Sequence, residues 1–334
     1  MTRYAAIIGT GSYLPERVMT NAELEQIVDT SDEWIASRTG IRERRVVAEG
    51  ESTSDLAARA ARIALDRAGI ADEEVDLLLL GTTSPDYIMP STACMTQAKL
   101  GLTCPAVDLM AACSSWIYGL QMGAAAIESG RANTVLVIGA EALTRLIDFT
   151  DRSTCVLFGD GAGAVVLQVA KEPGVEATVL GADGTGAEQL IIPAGGAATP
   201  ITPEGLDAHD QLVKMNGSEV FKFAVRVIPK ATKQALQLSG HTLDDLRWLV
   251  PHQANERIIA TVEERLGIDD ARVYLNLAKT GNTSAASIPM ALDDLYTSGR
   301  LAPGDLLALV GFGAGLTWGA AVVRWTLAVP NKEA

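Results

Sequence analysis

The sequence predicts an α/β protein made of two similar halves that share one core. Three observations carry this. Continuous apolar runs such as VDLLLL (residues 75–80) and TVLVIG (134–139) alternate with helical stretches, as strands buried on both faces of a mixed sheet do. The chain repeats itself in three blocks kept in the same order. No linker of Pro, Ser or charge separates the repeats, so the halves, about 1–172 and 173–334, are expected to pack against each other.

The blocks follow the chain in order. Ala5-Ala6-Ile7-Ile8-Gly9 resembles Ala177-Thr178-Val179-Leu180-Gly181, 172 positions later. A helix end, an acidic turn and a strand, ALDRAGIADEEVDLLLL, resemble ALQLSGHTLDDLRWLV, with Val75 matching Leu246 at an offset of 171. Cys113 opens a small-residue helix that ends in Ser129-Gly130-Arg131 before the strand TVLVIG. Asn282 opens one that ends in Ser298-Gly299-Arg300 before LLALVG, and this pairing has an offset of 169.

With 334 residues the chain can build a sizeable core, and 48% apolar with 20% charged residues is the composition of a compact globular protein. Lys and Arg total 27 against 41 Asp and Glu, a net charge of −14. That balance argues against nucleic acid or an anionic membrane as partner, because most of the surface repels phosphate.

Two uncharged stretches read as buried elements. Residues 306–323 (LLALVGFGAGLTWGAAVV) reach spanning length, but Gly311, Gly313, Gly315 and Gly319 divide them into strand, turn and strand. Residues 109–127 are rich in Ala, Ser and Gly, which suits a central helix packed closely on its neighbours. The four cysteines, Cys94, Cys104, Cys113 and Cys155, form no CxxC pair, so neither a disulfide scaffold nor a structural zinc is expected. The short apolar run after the N-terminus cannot serve as a signal-peptide core, and a cytoplasmic location is expected. GTGSYLP lacks the spacing of a dinucleotide loop.

The chemistry concentrates where strands end. PAVDLMAA reads as a strand and CSSWIYGLQMGAAAIESG as a helix, placing Cys113 at a strand-to-helix turn. The positive end of a helix dipole favours thiolate over thiol there. The repeat brings Asn282, in TGNTSAASIP, toward the same central region. His252, in LVPHQAN, directly follows the strand RWLV, and strand ends are where open α/β sheets build their sites. The other two histidines, His209 and His241, lie in polar loop sequence.

Six segments, SDEWIASRTGIRERR, AACSS, FGDGAGAVVL, LVPHQAN, GNTSAASIP and GFGAGLTWG, stand in one order along the chain. With these it resembles the β-ketoacyl-acyl carrier protein synthase III family of condensing enzymes essentially from end to end. The resemblance implies a thiolase-like fold, two pseudo-symmetric α/β halves forming a layered αβαβα core. It further implies that an acyl-CoA primer acylates Cys113 and that malonyl-acyl carrier protein then loses carbon dioxide and attacks the acyl-enzyme. A thiolate forms thioesters that exchange readily. His252 Nε2 and the Asn282 amide would hydrogen-bond the developing enolate. The backbone N–H groups of Cys113 and Ala314 would form a second oxyanion site.

For CoA, the family pattern points to Trp34 and Arg38 sandwiching adenine, with Arg152 on the nucleotide and Asn255 on the pantetheine arm. Around the acyl end it points to Met89, Leu143, Phe158 and Val213. All four are apolar, which disfavours charged or hydroxylated primers. Lys222, Arg257 and Arg265 are candidate contacts for the acidic carrier. The family resemblance also implies a homodimer in which Met89 reaches the partner's acyl pocket, and no cofactor, since acyl-CoA is a substrate. A flexible Met89, where acetyl-restricted relatives tend to carry a rigid aromatic, favours primers from acetyl to short branched acyl groups.

The chain departs from the family pattern in three places. Ser115 and Trp116 follow the nucleophile where the family usually has Gly and Phe, so Trp116 could narrow the pocket. Glu263 and Glu264 dilute the basic patch, one of them where relatives often carry Lys. Two other readings use the same residues. A same-fold acyltransferase of specialised metabolism could take a non-carrier acceptor. A cysteine peptidase uses Cys, His and Asn in this order, but the preceding Gly of its Cys motif is absent and it does not require the duplication.

Overall fold

The computed structural model describes residues 2–329 and places nine principal strands in two sheets. In chain order the main elements are β1 (Tyr4–Tyr13), α1 (Asp32–Thr39), α2 (Thr53–Ala68), β2 (Leu77–Gly81), α3 (Thr92–Leu100), β3 (Ala106–Leu109), α4 (Ser115–Glu128), β4 (Thr134–Glu141) and β5 (Gly161–Ala170). There follow β6 (Val175–Ala182), α5 (Gly217–Ser239), β7 (Trp248–Pro251), α6 (Glu256–Leu266), α7 (Ser287–Thr297), β8 (Leu306–Gly313) and β9 (Thr317–Arg324).

The first sheet has the order β1-β5-β4-β2-β3, and the second β6-β9-β8-β7. In each, the strand pair β2/β4 or β7/β8 runs parallel, and the remaining shared neighbours run antiparallel. Apart from the extra edge strand β3, one order is the other repeated. The uncharged stretch at 306–323 is the β8/β9 hairpin, joined by a tight turn at Ala314–Leu316.

Alternation along the strands builds the layers, because successive side chains point to opposite faces. Val135 and Val137 of β4, with Leu307 and Leu309 of β8, face inward onto Trp116, Ile117 and Leu120 of α4 and Ile288, Leu292 and Leu295 of α7. Leu136 and Ile138 face outward onto Leu56, Ala60 and Ala64 of α2. Leu306, Ala308 and Val310 face outward onto Ile228 and Ala231 of α5 and Ile259 of α6. The order is helix, sheet, helix pair, sheet, helix. Each large apolar side chain buried in these layers contributes about 1.5–3 kcal/mol relative to exposure.

Trp116 is fully buried in the central layer, and its Nε1–H donates to the Val137 carbonyl at 3.4 Å. It packs in the central cluster between the sheets, which is not the cluster that holds Leu143, Phe158 and Val213.

The structure corrects one pairing between the halves. Both central helices are entered through a left-handed residue and a short 3-10 turn, Ala112 (φ +48°) before α4 and Ser284 (φ +46°) before α7. These entries are 172 positions apart, so the counterpart of Cys113 is Ala285, not Asn282. The offset of 169 holds only at the helix ends, because α4 has 14 residues and α7 has 11. Two glycines mark the same correspondence. A Cβ on Gly139 would run into the Ala285 carbonyl oxygen, and one on Gly311 would lie 3.6 Å from that of Cys113. Gly139 and Gly311 are again 172 apart.

Candidate active site

Cys113 lies in the elbow between β3 and α4, and the elbow is braced from several sides. The Ala111 N–H donates to Ser115 Oγ at 2.8 Å, while the Ser115 hydroxyl donates to the Ala112 carbonyl at 2.6 Å. The Ser114 and Thr317 hydroxyls both donate to the Ala111 carbonyl at 2.7 Å. Ser115, a departure from the family pattern, thus supports the left-handed turn at Ala112, which an L-residue adopts only at a cost of about 1–2 kcal/mol.

Gly313 stands against this elbow, where a Cβ would lie 2.5 Å from the Cys113 nitrogen. The β8/β9 turn therefore brings the Ala314 backbone beside the Cys113 N–H. His252 enters from the end of β7, its N–H bonded to the Val310 carbonyl at 2.7 Å. A Cβ on Gly311 would be equally close, 3.6 Å, to the His252 Cβ and the Cys113 carbonyl. Strand β8 is thus what places histidine and cysteine together.

The two remaining polar groups are oriented by the backbone. Ser287 Oγ accepts the buried Gln253 N–H at 3.4 Å and lies 2.6 Å from His252 Nδ1, where its hydroxyl proton can be donated. An imidazole that accepts at Nδ1 carries its proton on Nε2. The Ser284 N–H donates to Asn282 Oδ1 at 2.9 Å, which leaves the Asn282 NH2 group to donate elsewhere. Asn282 itself is bonded to the Leu157–Gly159 segment through its N–H and its carbonyl.

Burial sets the electrostatics. It pushes the Cys113 thiol up to about 12, with the nearby Glu141 carboxyl adding to the effect, and pushes His252 down to about 3. Near neutral pH both are uncharged. The sequence-based expectation of a resting thiolate is therefore corrected. A helix terminus contributes about 0.3–2 kcal/mol, and loss of the thiolate's hydration outweighs it.

Leu143, Phe158 and Val213 join one apolar cluster with Met19, Ile147 and Val156, whereas Met89 is outside it and 85% exposed. Trp34 faces Arg152, whose guanidinium lies 4.9 Å from the ring centroid and donates to the Asp29 carbonyl. The cation that the structure places over Trp34 is thus Arg152 rather than Arg38. Arg38, in the last turn of α1, is exposed and makes no side-chain hydrogen bond or ion pair among the described residues. Asn255 caps α6, its side-chain oxygen accepting the Arg257 N–H at 2.9 Å.

Two of the three expected docking cations have partners within the chain. Lys222 pairs with Glu219 at 2.7 Å, and Arg265 donates to the Val225 carbonyl at 2.8 Å. Arg257 has no ion-pair partner among the described residues. His209 and His241 bond the carboxylates of Asp148 (2.5 Å) and Glu176 (2.7 Å).

Sequence reasoning missed Ser287 and Glu141. Ser287 stands inside GNTSAASIP, and its place one turn beyond Asn282 on a helix entry was the available signal. Glu141 ends a strand whose residues 135–140 are all apolar or glycine and is fully buried, and a carboxylate at a strand end is the kind of position the argument for His252 already used.

Residues 107–184 match the family model described as 3-oxoacyl-[acyl-carrier-protein (ACP)] synthase III, and residues 236–325 match that of its C-terminal part. Residues 47–144 also match the model of stage V sporulation protein AD. β-Ketoacyl-[acyl-carrier-protein] synthase III of Symbiobacterium thermophilum is 51% identical over 325 residues, 97% of this chain and 98% of that one. Among solved structures, the synthase III of Thermus thermophilus has a TM-score of 0.90 at 50% identity, over 96% of this chain and 99% of that chain. The priming β-ketosynthase of the R1128 polyketide pathway has a TM-score of 0.91 at 36% identity, over 98% of each chain.

Proposed function

This chain is a member of the β-ketoacyl-[acyl-carrier-protein] synthase III family, and we propose that Cys113, His252 and Asn282 carry out its reaction. Its five-layer core is the thiolase fold. It is an acyltransferase that condenses an acyl-CoA primer with malonyl-[acyl carrier protein], giving 3-oxoacyl-[acyl carrier protein] in the initiation of fatty acid biosynthesis. We take residues 1–172 and 173–334 as two copies of one unit, on their shared strand order.

Loading is a thiol exchange. Cys113 Sγ attacks the acyl-CoA carbonyl, the oxygen takes up charge beside the Cys113 and Ala314 N–H groups, and the C–S bond to CoA breaks. The proton lost by Cys113 leaves with the CoA thiolate, so a neutral resting thiol needs no separate base. In condensation, the malonyl C–C bond breaks and carbon dioxide departs. The electron pair moves to the thioester oxygen, where His252 Nε2–H and the Asn282 NH2 group donate. The enolate carbon attacks the acyl carbonyl, the bond to Cys113 breaks, and the thiolate takes a proton from water.

The observation that supports this reading is how the two side chains are held: Ser287 Oγ at 2.6 Å from His252 Nδ1 suits an imidazole with its proton on Nε2, and the Ser284 N–H on Asn282 Oδ1 leaves the Asn282 NH2 group to donate. No cofactor enters, because the thioesters supply both the leaving group and the driving force.

Adenine enters between Trp34 and Arg152, whose mutual contact of about 0.5–1 kcal/mol at the surface is readily exchanged for a base. Arg38 lies at the rim, and the Asn255 NH2 group serves the pantetheine arm. Arg257 is the leading contact for the acidic carrier. Leu143, Phe158 and Val213 line the acyl end, closed by Met89 of a second copy. With acetyl-CoA, isobutyryl-CoA and dodecanoyl-CoA in competition, and malonyl-[acyl carrier protein] and malonyl-CoA as alternative acceptors, the two short primers and the carrier-bound malonate are expected to give the higher kcat/KM. Preference for dodecanoyl-CoA would overturn the pocket assignment, and preference for malonyl-CoA the carrier assignment.

Tyr87, Ile88 and Met89 form an exposed apolar run of the kind that protein partners cover. A homodimer is expected by light scattering at micromolar concentration. A fully active monomer would remove Met89 from the pocket. Among the described residues no helix is long and apolar enough to cross a membrane. We place the protein in the cytoplasm on its sparse, unclustered cysteines and its acyl-CoA substrate.

A further inference from the structure

The duplication produced two elbows but only one nucleophile. At the first, Gly313 faces the Cys113 N–H and presents no side chain to it. At the second, the residue in the place of Gly313, 172 positions earlier, is Glu141. Its Oε1 accepts the Ala285 N–H at 3.3 Å, the counterpart of the Cys113 N–H.

The rest of the Glu141 surroundings repeat that chemistry. Oε1 also accepts from the Thr83 N–H (3.1 Å) and hydroxyl (2.9 Å). Oε2 accepts from the Thr82 hydroxyl (3.2 Å), the Ser84 N–H (3.1 Å) and the Ser84 hydroxyl (2.6 Å). The carboxyl is fully buried, and among the described residues it has no cationic partner. N–H and O–H donors converging on a buried oxygen, without a counter-charge, are what an oxyanion site consists of. Asp160, the other buried carboxyl nearby, bonds only the Val47 N–H and Thr144, away from either elbow.

We infer that Glu141 is a positioning residue for the condensation step: it fills the second oxyanion pocket with a built-in carboxyl and thereby fixes the turn that presents Asn282. The link is short. Glu141 anchors the Ala285 amide, Ala285 follows the left-handed Ser284, and the Ser284 N–H holds Asn282 Oδ1. If the Ala285 amide loses its acceptor, the Ser284 peptide can rotate and the Asn282 NH2 group loses its aim. The inference rests on the enolate-donor reading of Asn282 given above.

The test separates the two half-reactions in the full-length enzyme. Glu141→Gln keeps the shape but sets an NH2 group against donors. It is expected to slow carbon dioxide release from malonyl-[acyl carrier protein] by about 10-fold to 100-fold, the scale of a misplaced reacting group. Loading of Cys113 from acetyl-CoA should change by less than about 3-fold. Thr83→Val, which removes one hydroxyl donor to Oε1, should shift the same ratio in the same direction by about 3-fold, and it decides the question if Glu141→Gln does not fold. A purely structural role would lower both half-reactions together with the folded fraction, and an unsplit loss, or no loss, in the folded variants overturns the inference. Asn282→Ala is measured alongside. If it splits the half-reactions and the Glu141 and Thr83 variants do not, only the inference fails. If Asn282→Ala itself leaves decarboxylation intact, the donor reading fails and the inference with it.

Discussion

Cys113→Ser is expected to abolish covalent loading from acyl-CoA, by at least about 1,000-fold in the rate at which acyl mass appears on the protein. Loading depends on the sulfur itself. The thiol is neutral at rest, pushed up to about 12 by burial, and reacts because its proton can be exchanged for that of the departing CoA thiol. A serine hydroxyl has no such symmetry with its leaving group, and no base is bonded to it in the elbow. The resting thiol has its own signature. Alkylation of the free enzyme by iodoacetamide should quicken continuously as pH rises to roughly 9, because the thiolate fraction keeps growing below its pKa. Full acylation of the serine variant would remove Cys113 as nucleophile, and an alkylation plateau below pH 8 would show that the helix terminus prevails over burial after all.

His252→Ala and Asn282→Ala should each slow malonyl decarboxylation by about 100-fold to 1,000-fold, the usual cost of one oxyanion donor, while loading stays within a few-fold of the parent. The split follows from proton balance: exchange between two thiols consumes no base, whereas the enolate needs donors from the moment charge develops. Ser287→Ala should fall in the same direction with a smaller loss, because the imidazole survives but its tautomer is no longer set. Burial holds His252 uncharged down to about pH 3, so the decarboxylation profile should show no inflection near the ordinary histidine value of about 6.5. Equal losses in both half-reactions would place His252 in loading as well, and an inflection near 6.5 would show that it works as the imidazolium.

The residues that meet at the site were legible because the chemistry restricts residue type. Cys113, His252 and Asn282 stand at strand and helix ends, where periodicity breaks and unpaired backbone groups gather, and those breaks can be read from the sequence. The layers were legible for a related reason. Apolar runs such as VDLLLL need cover on both faces, and the small residues of α4 need close neighbours. The repeat was visible too, but not its register. Three residues missing from α7 shift the alignment between its two ends, and only the paired left-handed entries at Ala112 and Ser284 identify Ala285 as the counterpart of Cys113.

By itself, then, the sequence determined the α/β class and the repeated architecture and singled out Cys113, His252 and Asn282 as candidates, because pattern and residue chemistry are local properties of a chain. Tertiary structure decided the charge states and the partners. The Cys113 thiol is neutral because the surrounding layers exclude water, and Trp34 faces Arg152 instead of Arg38 because two distant segments are folded together. Arg265 has a partner because the Val225 carbonyl, 40 positions earlier, comes within reach of its side chain. Glu141 reaches an amide 144 positions away only once the strands are assembled. Desolvation and hydrogen bonding depend on what lies within a few ångströms in space, and that neighbourhood does not exist until the chain has folded.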